Sequence, residues 1–242
     1  MKKLVVAGCS VSDYTGVAKN YGEILSELLN RDYLHLAAGA GSNDRLFRVL
    51  TTEIRNNQIT SDDVVIIQYT NYNRKEFWSK HKLNNIPPEY NDTKKSTPIR
   101  ENYDSGQTIK FKIGAYKWQP VIEEKSFLKL YENNFINHRY NAELFYNAHH
   151  NLAILLAHYS IPCIYILKEE YLPSYSNSRG ITEVIKTIQE YEKLNKTSYI
   201  DITSMFNING NEFTLEEKNP SHFNQYGHET VAKLLFNKIN QL

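Results

Sequence analysis

Residues 4–10 read Leu4-Val5-Val6-Ala7-Gly8-Cys9-Ser10. Four apolar residues, two of them β-branched, stop at a glycine. A run this short, apolar on both faces, is the pattern of a strand buried in a parallel sheet. The segments that follow repeat the motif. A helix is expected from about Val17 to Asn30, with Ile24, Leu25, Leu28 and Leu29 on one face. Tyr33 to Ala38 reads as a second strand, closed by Gly39-Ala40-Gly41. Ser42 is placed to cap a second helix whose Leu46, Phe47, Leu50 and Ile54 share a face. Val64 to Tyr69 reads as the third strand. The order strand–helix–strand–helix–strand demands right-handed crossovers and a parallel sheet, hence an α/β fold.

The rhythm breaks from Arg74 to about Glu123, where Pro87, Pro88, Pro98 and Pro120 interrupt any helical period. Ile109-Lys110-Phe111-Lys112-Ile113 alternates as a half-exposed strand would. The stretch is too long for an ordinary loop and reads as an inserted lobe, about 74–123, beside the sheet's functional edge. Its Tyr103, Phe111, Tyr116 and Trp118 suit a small apolar core or dimer surface, and less readily a sugar-stacking wall. The α/β pattern then resumes. A helix spans about Phe135 to Tyr159, and a strand runs from Pro162 to Leu167. A helix from about Thr182 to Leu194, a strand over Tyr199 to Ile202 and a helix from about Gln225 to Ile239 complete the chain. One domain is expected over 1–242, without internal repeats.

Composition narrows the function classes. A formal net charge of +1 over 242 residues provides no global field toward nucleic acid or an anionic membrane, and neither partner is expected. The two cysteines, Cys9 and Cys163, lie in apolar runs rather than in a secreted disulfide framework. Leu4 to Ala7 is too short for a signal segment, and no apolar stretch reaches membrane-spanning length, which together fit a cytoplasmic protein. The 18 tyrosines suit sugars and subunit interfaces alike, so a homo-oligomer stays open. His149-His150 has no partner at metal-ligand spacing, so no metal and no cofactor is expected.

Ligands of open α/β sheets bind outside the carboxyl ends of the strands. Gly8-Cys9-Ser10 follows strand one, and Gly39-Ala40-Gly41-Ser42-Asn43 follows strand two. Thr70-Asn71-Tyr72-Asn73-Arg74 follows strand three, and Asn219-Pro220-Ser221-His222 precedes the last helix. A hydroxyl, a glycine turn, an amide and a histidine therefore converge on one rim. Those are the parts of an acyl-transfer site: nucleophile, oxyanion donors and base. Asn43 and Asp44 read as first-turn residues matched to the helix dipole, and Cys9 as a small buried filler.

On these residues the chain resembles the SGNH (GDSL) hydrolase family. Gly8-Cys9-Ser10 resembles the Gly-Cys-Ser variant of its first block, and His35 to Asn43 its second. Gln68 to Arg74 resembles the third, and Asn219-Pro220-Ser221-His222, followed by Gly227-His228, the fifth. The resemblance implies a three-layer, flavodoxin-like sandwich with a five-stranded parallel sheet in the order 2-1-3-4-5. It implies Ser10 as nucleophile and His222 as base. Its oxyanion hole would be built from the N–H groups of Ser10 and of Ala40 or Gly41, with Asn71 or Asn73. His228 is structural in that pattern.

The implied activity is removal of an acyl group, acetyl foremost, from a carbohydrate or small polar ester; an O-acyltransferase would use the same residues. The family's acid is replaced by Asn219. In serine proteases the same exchange lowers turnover about 10^4-fold through the wrong imidazole tautomer. A weak or inactive module that binds a glycan or protein is therefore the rival reading. The two differ in whether a carboxylate, such as Glu216, Glu217 or Asp201, reaches His222.

Overall fold

The computed structural model describes residues 2–13, 16–38, 41–72, 74–78, 106–110, 138–173, 180–192, 196–207, 212–214 and 222–242. Its centre is a five-stranded, all-parallel sheet built from β1 (Lys3–Ala7), β2 (Asp32–His35), β3 (Val64–Gln68), β6 (Cys163–Leu167) and β7 (Thr197–Asp201). The spatial order is β2-β1-β3-β6-β7, which is 2-1-3-4-5 counted within this sheet. Register is continuous across the middle: Val6 lies beside Ile66, and Ile66 beside Ile164.

Strand alternation divides the core in two. Val5, Ala7, Val65, Ile67, Tyr165 and Leu167 face helices α2 (Asn43–Arg55), α3 (His138–His158) and α4 (Gly180–Glu192). Leu4, Val6, Val64, Ile66, Ile164 and Ile166 face α1 (Tyr21–Leu29) and the last helix, here α6 (Gln225–Ile239). A short helix α5 (Ser204–Asn207) follows β7. Burial on both faces is why β1, β3 and β6 are uninterrupted apolar runs. Cys9 and Cys163 are buried free thiols within these layers.

Several boundaries differ from the sequence expectation, each for a local reason. Helix α1 starts at Tyr21, not Val17, because the Asn20 side chain accepts the Glu23 N–H at 2.8 Å and sets the cap there. β2 stops at His35, although Leu36 N–H still reaches Val6 O at 2.8 Å and Ala38 N–H reaches Gly8 O at 3.3 Å. Beyond it, Gly41 N–H donates to Ala38 O at 2.9 Å. β7 begins at Thr197, earlier than its apolar part suggests, because Thr197 and Ser198 pair with Cys163 and Ile164.

Within the 74–123 stretch, β4 (Arg74–Trp78) and β5 (Gly106–Lys110) form an antiparallel pair. The strand expected at Ile109–Ile113 therefore sits three residues earlier as far as it is described, and residues 111–113 lie outside the described ones. β4 was not expected at all. Tyr103, Phe111, Tyr116 and Trp118 also lie outside the described residues.

Candidate active site

The site starts where β1 ends. A Cβ on Gly8 would overlap the Ser12 hydroxyl and sit 3.1 Å from Gln68 Cβ, so this position has no room for a side chain. The chain then makes a 3-10 turn over Ser10–Ser12, closed by Ser12 N–H on Cys9 O (3.0 Å) and Asp13 N–H on Ser10 O (3.2 Å). That turn buries Cys9 in the core and leaves Ser10 half-buried at the rim.

Below the turn, Ser12 Oγ donates to Gln68 Oε1 on β3 and accepts the Tyr21 hydroxyl at 2.7 Å. Burial raises the Tyr21 phenol far above its usual range, so it stays a donor at all ordinary pH. Beyond the turn, the buried Asp13 carboxylate lies 3.2 Å from His35 Nε2 at the end of β2.

His222 comes from the segment before α6. Its Nε2 lies 2.7 Å from Ser10 Oγ, across 212 residues of chain. Local bonds hold this segment. Phe223 bridges Thr214, and Asn224 N–H donates to Phe213 O at 2.9 Å. The Asn224 side chain caps α6 through Gly227 N–H (2.8 Å) and donates to Glu212 O (2.7 Å) and Thr214 O (3.1 Å). A Cβ on Gly227 would overlap the Phe213 carbonyl oxygen, so only glycine lets the 212–214 segment lie over the first turn of α6. His228 is buried, and its Nδ1 accepts Tyr21 N–H at 3.1 Å. Burial, with a smaller contribution from His222, lowers its pKa to about 4 and keeps it a neutral acceptor.

The oxyanion candidates divide. The Gly41 amide donates to Ala38 O at 2.9 Å, which removes it from the available donors. A Cβ there would lie 2.9 Å from Ala38 O and 3.3 Å from Gly8 O, so glycine serves close approach of backbone, not donation outward. Ala40 and Asn73 lie outside the described residues, as do Asn219, Glu216 and Glu217. Asn71 is half-buried three residues past the end of β3. Asp201 is exposed at the end of β7, where its carboxylate accepts Thr203 N–H at 2.8 Å.

Ser42 caps α2 by accepting Arg45 N–H at 3.1 Å, as its position in the sequence suggests. Asn43 is different from a first-turn residue serving the helix dipole. Its buried side chain donates to Thr70 O (2.8 Å) and accepts Thr70 N–H (2.9 Å), clamping the start of α2 to the loop after β3. Nothing at residue 43 alone announces the clamp; the only signal is an amide at the end of a glycine turn.

His149 is a core residue. Its Nδ1 lies 2.5 Å from the Tyr69 hydroxyl, and burial brings its pKa down to about 4. Among the described residues, no group of three or more His, Cys, Asp or Glu side chains is placed to hold a metal ion. No described helix is long and apolar enough to cross a membrane.

This architecture is the fold of the SGNH (GDSL) hydrolases. A member of the lipolytic G-D-S-L family from Veillonella parvula superposes with a TM-score of 0.50 at 10% identity, covering 100% of this chain and 98% of that one. An acetylxylan esterase from Geobacillus stearothermophilus matches at 0.48 and 13% identity, over 98% and 94% of the two chains. A lipase/acylhydrolase from Enterococcus faecalis gives 0.46 and 15%, over 99% and 95%. No family model and no curated protein sequence matches the chain.

Proposed function

We propose that the protein is a serine ester hydrolase of SGNH type, removing an acyl group, acetyl foremost, from a carbohydrate or small polar ester. The observation that carries this reading is the 2.7 Å separation of Ser10 Oγ and His222 Nε2 at the carboxyl edge of the sheet. The separation suits proton transfer from nucleophile to base. The shared fold and the four blocks in register add support. The carbohydrate part rests on the resemblance alone.

In the reaction, neutral His222 takes the Ser10 hydroxyl proton at Nε2 as Oγ bonds to the ester carbonyl carbon. The carbonyl electron pair moves onto oxygen, where the N–H groups of Ser10 and Ala40, with Asn71 or Asn73, are assigned to receive it. Collapse expels the alcohol, which takes the proton back from His222. Water then repeats both steps on the acyl-serine and releases the acid. Asn219 has the role of orienting His222 through its carbonyl oxygen.

The test is covalent labelling by a fluorophosphonate, which reports an activated serine without knowledge of the substrate. Labelling of the wild type and none of Ser10→Ala is expected. Absence of labelling in the wild type would favour the rival reading, a glycan- or protein-binding module, for which Asn219 speaks.

A further inference from the structure

Tyr21, the first residue of α1, is fully buried and touches the carriers of both proposed catalytic residues. Its hydroxyl donates to Ser12 Oγ at 2.7 Å, two residues past Ser10. Its backbone N–H donates to His228 Nδ1 at 3.1 Å, six residues past His222. The Tyr21 and His228 rings stack with centroids 5.8 Å apart, and His228 meets the Phe223 ring edge-on at 5.6 Å. Phe223 is the neighbour of His222. A second tie runs beside the first: Lys19 N–H donates to Gln225 Oε1 and Gln225 Nε2 to Lys19 O, both at 3.3 Å.

The first N–H groups of a helix have no partner within it. Here one of them is satisfied by an imidazole on another helix, which makes the start of α1 a mount for the start of α6. The phenol of the same residue grips the nucleophile's turn. Ser10, Ser12, Tyr21, His228, Phe223 and His222 thus form a closed ring, joined by contacts and, at Ser10–Ser12 and Phe223–His222, by the chain itself, whose last member is the 2.7 Å Ser10–His222 approach. A nucleophile and its base need registration to about half an ångström. Backbone connection alone does not supply it between residues 212 positions apart.

We infer that Tyr21 is a positioning residue that registers Ser10 against His222, acting through Ser12 on one side and His228 on the other. The inference rests on the serine-hydrolase reading of the site. It assigns to α1 a part in catalysis that none of the four sequence blocks carries.

Tyr21→Phe removes only the hydroxyl link and keeps the ring stacked on His228. The expected result is a fluorophosphonate labelling rate about tenfold lower per folded molecule. Aryl acetate hydrolysis should show the same fall in kcat with KM unchanged. Because the hydroxyl acts through Ser12, Tyr21→Phe in a Ser12→Ala background should have little further effect.

A Tyr21→Phe protein that loses thermal stability but labels within twofold of wild type would overturn the inference and leave the hydrolase reading intact. So would an equal effect in both backgrounds. A wild type that does not label at all removes the reading, and the inference with it.

Discussion

The two segments that bring Ser10 and His222 together are held by different physics. The Ser10 turn is bolted from beneath by buried side chains: Cys9 in the core, Ser12 on Gln68, and Tyr21 on Ser12. The His222 segment is clasped by backbone and a cap, with Asn224 satisfying Gly227 N–H and the carbonyls of Glu212 and Thr214. A buried network is costly to break because every orphaned group stays out of water. A cap at the rim is worth about 1 kcal/mol, since water can replace much of it. The nucleophile is therefore the fixed member of the pair, and the base the adjustable one.

The largest effect tests whether both segments serve one chemistry. Ser10→Ala and His222→Ala should each lower hydrolysis of an aryl acetate by at least about 10^3-fold, because residues that act as a unit fail together. Thermal midpoints should hold within a few degrees. Activity persisting in Ser10→Ala would show that the two segments meet for another reason.

Acid provides the next contrast. His149 and His228 both have pKa values lowered by burial from 6.5 to about 4. The unfolded chain takes up protons near 6.5 that the folded chain refuses until about 4. Their contribution to stability is complete above 6.5 and is lost as pH falls through that window, at most about 3 kcal/mol for each. Denaturant unfolding between pH 7 and 4 should show the slope. His149→Gln should flatten part of it without touching Ser10 labelling, whereas His228→Gln should flatten part and slow labelling, because only His228 belongs to the base's segment.

The two glycines sharpen the comparison further. Gly227→Ala sets a methyl against the Phe213 carbonyl oxygen and within 2.8 Å of the Phe223 ring, neither of which moves without the segment. A loss of about 3 kcal/mol is expected, read by urea unfolding. Gly8→Ala meets the Ser12 hydroxyl first, and turning that hydroxyl away gives up its buried bonds to Gln68 and Tyr21. Its cost should be comparable, about 3 kcal/mol, with a disproportionate loss of Ser10 labelling. A Gly8→Ala cost well below that of Gly227→Ala would mean that the nucleophile's turn is the yielding one.

Much of this was legible in residues 4–10 and their repeats. The parallel sheet and the rim location follow from apolar runs such as Val64–Gln68, which carry their own evidence of double-sided burial, whereas the order 2-1-3-4-5 comes from the family resemblance. What was hidden depends on partners distant in sequence. β4 starts Arg74-Lys75-Glu76, a charged opening that alternates poorly, and its partner β5 begins 28 residues after β4 ends. Thr197 and Ser198 belong to β7 only because Cys163 and Ile164 lie beside them. In the site, Ser42 was readable because a cap is local. The Asn43–Thr70 clamp and the double role of Tyr21 were not, because neither an amide nor a tyrosine advertises a contact made across the fold.

The smallest effect expected is at Asn219, three residues before the base. An imidazole acting as base must keep its other nitrogen protonated and aimed, and it gains a positive charge as the reaction proceeds. A carboxylate meets both needs; an amide can aim the ring through its oxygen but supplies no counter-charge. Asn219→Asp should therefore raise esterase turnover at least tenfold, about 1.4 kcal/mol of barrier. The gain falls short of what the reverse exchange costs serine proteases, because the Ser10 mount is already fixed while the His222 segment must readjust around a new charge. The exchange is nearly isosteric, so urea unfolding should report little change in stability. An unchanged or lower turnover, in a protein whose Ser10 labels, would mean that another group aims His222, and Glu216, Glu217 and Asp201 become the substitutions to make next.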